Sequence, residues 1–173
     1  AATGIDLDTD TDSITASVTG TGAIDIDETD AVTLTSVTTA DGSITIDAGG
    51  LLTATDVRSL TDSASNDISL VTTTGDVSLE TVDAGSSGGL TVTSATGSIT
   101  DVTGSAISAD NTTLAANAGD ITLGDDATDT VNFGSLTFSA ASGDVDITED
   151  SSTQLAGSNT ADGLDLVSAG DIT

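Results

Sequence analysis

The chain has 173 residues with 29 acidic side chains against one basic one, Arg58, for a formal charge of −28, and contains no Trp, Tyr, Met, Cys, Pro or His and only two aromatics, Phe133 and Phe138. That balance leaves no surface to neutralise phosphates, which excludes nucleic acid and direct binding to anionic membranes. Without large rings an ordinary compact core is not expected, and the apolar content must be Ala, Val, Ile and Leu, side chains suited to strands.

From the N-terminus onward one phrase returns: Gly, a small or acidic residue, Ile or Val, a polar residue, then Ile or Leu. A shortened copy is Gly4-Ile5-Asp6-Leu7, followed by copies beginning at Gly22, Gly42, Gly75, Gly119 and Gly143, with weaker ones at Gly97 and Gly170. The first apolar positions are Ile5, Ile24, Ile44, Val77, Ile99, Ile121, Val145 and Ile172, at intervals of 19, 20, 33, 22, 22, 24 and 27. The second are Leu7, Ile26, Ile46, Leu79, Leu123 and Ile147. Before most copies lies another alternation, as in Val32/Leu34, Ile68/Leu70, Leu90/Val92, Leu136/Phe138 and Leu164/Leu166, ending in a corner of Thr, Ser, Ala and Gly. Glycine supplies the freedom a bend requires.

Period-two alternation means one buried face per strand, and recurrence near 22 residues means each unit retraces the last. The expected fold is all-β: a right-handed parallel β-solenoid of about eight rungs of roughly 19–27 residues, in which the two sets above form buried columns. The 33-residue interval suggests an insertion over 51–65, carrying Arg58. Residues 1–173 then form one solenoid segment of a longer repetitive protein or fibre. Both the opening stretch Ala1-Ala2-Thr3-Gly4-Ile5 and the closing Gly170-Asp171-Ile172-Thr173 fall within copies of the phrase. The expected partners are therefore neighbouring rungs or identical subunits stacked end to end.

With no His, Cys, Tyr or Lys, catalysis would rest on carboxylates and hydroxyls alone, so no enzyme activity is expected. Calcium is the expected ion, since it accepts carboxylate oxygens. Candidate positions are the Asp-x-Asp runs containing Asp6, Asp8, Asp25 and Asp27, and the corner residues Asp76, Asp120, Asp144 and Asp171, which follow the recurring glycine and would stack as a like-charge ladder. Neither a calcium-binding nonapeptide nor an EF-hand spacing is present. Pairs such as Thr33-Leu34-Thr35 and Thr91-Val92-Thr93 are not expected to recur on every rung, as an ice-binding β-helix would require, and Asn111-Thr112-Thr113 is a glycosylation sequon.

The Thr-Gly-Asp-Ile/Val-Thr/Ser-Leu phrases preceded by Leu-x-Val-like strands resemble the repeats of filamentous-haemagglutinin-like and related β-strand-repeat adhesins, large bacterial surface exoproteins. The resemblance spans nearly the whole chain and implies a long, secreted, right-handed β-helical stalk. Expected roles are thus the shaft of an extracellular or cell-surface adhesin, a subunit of a self-assembling filament or surface layer, or, less expected, a carbohydrate-active solenoid.

Overall fold

The structure is a computed structural model describing residues 4–173, so Ala1 to Thr3 of the opening phrase lie outside the described residues. Among the described residues thirteen strands follow one another: β1 (Ile5–Thr9), β2 (Ser13–Thr21), β3 (Ile24–Glu28), β4 (Val32–Asp41), β5 (Ile44–Ala48), β6 (Leu52–Ser59), β7 (Ile68–Thr72), β8 (Val77–Asp83), β9 (Gly89–Ser94), β10 (Ile99–Ala116), β11 (Ile121–Leu123), β12 (Thr130–Glu149) and β13 (Thr160–Ser168). Every pairing between them is parallel, so the chain coils through about seven turns of a β-solenoid. Among the described residues no helix is long and apolar enough to cross a membrane.

The columns differ from those read off the phrase. Ile44 pairs with Ile68, and Val77 pairs with Leu52 and Ile99. The phrase therefore changes face: its first three copies lie on the wall Ile5, Ile24, Ile44, Ile68, Leu90, Thr112, Leu136, those beginning at Gly75, Gly97, Gly119 and Gly143 on the wall Val32, Leu52, Val77, Ile99, Ile121, Val145, Leu164, and the last, at Gly170, on neither stretch of wall. Both outlying intervals have this cause. Going from Ile44 to Val77, the chain advances one strand within a coil, to Leu52, and then makes one turn. Between Val145 and Ile172 it makes one turn to Leu164 and then advances along the coil to Ile172, which bridges Thr153. The run 51–65 is accordingly no insertion for most of its length. Residues 52–59 are β6, in register with β4 and β8, and only the following loop departs from the strands.

A third wall runs through Ala16, Val37, Val57, Val82, Ile107 and Val131. Inside the three walls Ile24, Ile26, Ile44, Ile46, Leu79, Ile99, Ile121, Leu123 and Ile147 are fully buried, while Asp6, Asp25 and Asp146 face water and Thr45, Ser78, Thr100 and Thr122 are half-buried. Leu7 and Ile172, expected in the columns, are exposed, because among the described residues the coils at either end of the stack have a neighbour on one side only. Inward hydroxyls at the corners are satisfied by corner carbonyls: Thr39 Oγ1 donates to Gly22 O, Ser59 Oγ to Gly42 O and Ser94 Oγ to Gly75 O.

Thr112 breaks this rule. It stands in the aliphatic column between Leu90 and Leu136, 2% exposed, and its Oγ1 has no hydrogen-bond partner. Valine has the same shape without the stranded hydroxyl. Thr112→Val is therefore expected to stabilise the chain by about 1 kcal/mol, measured by urea unfolding followed by circular dichroism. Unchanged or lower stability would mean that the hydroxyl finds a partner in solution.

Corrected register also changes the outer surface. Thr45, Ser69, Thr91, Thr113 and Thr137 form one straight row, and Ser13, Thr33, Thr53, Ser78, Thr100 and Thr122 another, so hydroxyls do recur on successive coils. The doubled Thr-x-Thr pattern is not continued: Thr93 is flanked in its own row by Val71 and Ala115.

Candidate functional site

Carboxylates gather in four places. On the first wall Asp6 pairs with Asp25, and Asp8, Asp27 and Asp47 follow one another in register, so the Asp-x-Asp faces form true rows. Neighbours in such a row sit about 4.8 Å apart. Partial desolvation and then the charges of Asp47, Asp8, Asp25 and Asp6 push the Asp27 carboxyl above its ordinary range.

The corner residues behave otherwise. Asp76 Oδ1 accepts the Ser98 amide of the next coil (2.8 Å), Ser98 Oγ accepts the Asp120 amide (3.1 Å), and Asp120 Oδ1 accepts the Asp144 amide (2.9 Å). Each corner side chain thus fastens the backbone of the coil above it. Ser98 interrupts the expected run of charges between Asp76 and Asp120. Asp171 lies apart from these three, its amide donating to Ser152 Oγ at 3.2 Å.

The third place surrounds Glu28, which takes an inward position at the end of β3 and is 4% exposed. Its Oε2 accepts Thr9 Oγ1 (2.5 Å), and its Oε1 accepts the amides of Thr11 (3.1 Å) and Thr29 (3.0 Å). Burial alone would raise this carboxyl. The bonds from Thr9 and from the amides of Thr11, Asp30 and Thr29 outweigh it and hold the group below its usual range. Asp10 and Asp30 each bring an oxygen within 4.8 Å of it and of each other, and Asp30 is pushed up by desolvation and by Asp10, Glu28 and Asp12. The fourth place joins Asp101, Asp125 and Asp129, again with one oxygen from each inside 4.8 Å, beside a cavity of about 270 Å³ lined by Gly124, Asp125, Asp126, Asp129 and Asp150.

Sequence reading missed Glu28, Asp101 and Asp129. A signal for Asp101 was present, since the second apolar position of the Gly97 copy is empty and Asp101 occupies it. Arg58, the one cation, is held by Asp56 at 2.5 Å on the third wall, where it pairs in register with Asp83. A larger depression of about 550 Å³ crosses several coils along Asp83, Ser108, Asp110 and Asn132, and the ring nearest to it, Phe133, is 2% exposed.

No protein-family model, curated protein or solved structure matches this chain.

Proposed function

We propose that the chain is a structural shaft, a segment of a large secreted or cell-surface bacterial protein of adhesin type. The observation that carries this reading is the continuous parallel pairing of coil on coil, free of register shifts along the wall from Ile5 to Leu136, with outer faces made of rows of hydroxyls and carboxylates. A rod of this kind sets a distance. Its partners are further coils, supplied by the same polypeptide or by an identical subunit, and exposed Leu7, Leu164 and Ile172 are the apolar side chains such coils would cover. The second alternative, a filament or layer subunit, rests on the same exposed edges. Electron microscopy of the purified chain distinguishes the two, with separate short rods expected for a shaft segment and long continuous fibres for a self-assembling subunit. Compact particles without a rod-like scattering profile would refute both.

Calcium fits this reading as a counter-ion of the acidic rows. Asp8, Asp27 and Asp47, with Asp6 and Asp25 beside them, repel one another along the axis, and a divalent cation shared between neighbours relieves that repulsion. Millimolar calcium is expected to raise the melting temperature by roughly 2–4 °C more than sodium chloride of equal ionic strength. Superimposable melting curves in the two salts would remove the calcium proposal and leave the shaft standing.

A further inference from the structure

Asp101 occupies an inward position that other coils fill with Ile14, Leu34, Ala54, Leu79, Leu123 and Ile147. The strand register slips just after it, between Asp101 and Ala106, and Gly104 turns there with φ +83°. Asp101 Oδ2 accepts Ser105 Oγ (2.6 Å) and, from the next coil, the Gly124 amide (3.0 Å). Its Oδ1 is sealed from solvent and accepts nothing. Asp129, nine-tenths buried, reaches back in the other direction: its Oδ1 accepts the amides of Gly104 (2.7 Å) and Ser105 (3.1 Å), and its Oδ2 that of Asp126 (2.8 Å). Two carboxylates thereby bind the loops of adjacent coils to each other, and they stand within 4.8 Å of one another with Asp125 beside them.

We propose that Asp101 and Asp129 form a proton-gated clasp between these two coils, locked when Asp101 carries a proton and loosened when it is ionised. The proton sits on Asp101 Oδ1, the buried oxygen that accepts nothing, and removes one of several like charges from the cluster. Charged groups facing Asp101 are Asp129 and Asp125 from the next coil; from the preceding coil its register partner is the apolar Leu79, and Ser105 of its own strand is neutral. Arg58, the one basic side chain of the sequence, is engaged with Asp56. Burial, followed by Asp129 and Asp125, raises the Asp101 carboxyl above its usual range against the opposing bonds from Ser105 and Gly124. A raised folded value means that the folded chain keeps the proton to higher pH than the unfolded one. Stability from this group is therefore complete below the ordinary aspartate range and is lost as pH rises through the raised value.

The test titrates side-chain carboxyl carbons by NMR and follows amide exchange at Gly104, Ser105 and Gly124 at several pH values, in the wild-type chain and in Asp101→Asn. Asp101 is expected to titrate above the ordinary aspartate range. The three amides should exchange about tenfold faster, after correction for intrinsic rates, once Asp101 is ionised, and Asp101→Asn should keep them slow on both sides of that pH. A midpoint at or below the ordinary range, or exchange in Asp101→Asn that still accelerates with pH, would overturn the clasp. So would calcium that slows these amides at neutral pH in the wild type and not in Asp101→Asn, because a cation and not a proton would then close it. Should Asp101→Asn fail to fold, the wild-type titration and exchange profiles decide the matter alone.

Discussion

Placing Asp at Ile121 is expected to cost at least about 4 kcal/mol, enough to unfold many domains of this size at ordinary temperature. Ile121 is fully buried, paired with Ile99 in the coil before and Val145 in the coil after. A carboxylate there would lose its water and gain no cation, since the wall on either side is aliphatic and Arg58 is the one basic side chain in the sequence. Thr122→Ser, at the neighbouring outward position, should change stability by no more than about 0.5 kcal/mol. Because the chain has neither Trp nor Tyr, unfolding is followed by circular dichroism. Equal midpoints for Ile121→Asp and the wild type would show that the column is not the core.

A single methyl group should do nearly as much at Gly119. The corner glycines lie directly over one another, and a Cβ on Gly119 would stand 2.5 Å from the carbonyl carbon and oxygen of Gly97, a clash with backbone that no rotamer relieves. Gly119→Ala is expected to destabilise by about 2–3 kcal/mol. Gly20 provides the comparison, because nothing lies within 4 Å of a Cβ built there, and Gly20→Ala should be near neutral or slightly stabilising through the unfolded chain. Similar losses at the two positions would mean that flexibility and not close approach explains the corner glycines.

Fold class was legible because two periods coexist in the sequence, two residues within a strand and about twenty between coils. What misled was the assumption that one phrase marks one wall. Glycine followed by an Ile-x-Ile alternation encodes a corner leading into a strand, and a solenoid has several chemically similar corners per turn, so the phrase could pass from the Ile44 wall to the Val77 wall without a change of wording. The weaker strand β6, with Ala54 where the coils on either side have Leu34 and Leu79, and with Arg58 on its outer face, then read as an interruption. The acidic rows at Asp8 and Asp27 followed from local alternation and were readable. Glu28 was not recognised, because an inward carboxylate at a strand end is identified by what surrounds it, here the amides of Thr11 and Thr29; Asp101 did break the apolar alternation of its own copy, but the Gly124 amide that holds it comes from the next coil.

The stacking geometry gives the molecule an unusual line charge. From the level of Ile5 to that of Leu155 there are seven spacings, so at about 4.8 Å each the axis is roughly 35 Å long. Spread along it, the net charge of −28 amounts to about one charge per 1.2 Å, denser than the one per roughly 1.7 Å of duplex DNA. A rod charged to that degree holds a sheath of condensed counterions as a nucleic acid does. Its encounters with cationic surfaces would then be driven by ion release, weakening steeply and log-linearly as salt is raised, whatever the sequence of the partner.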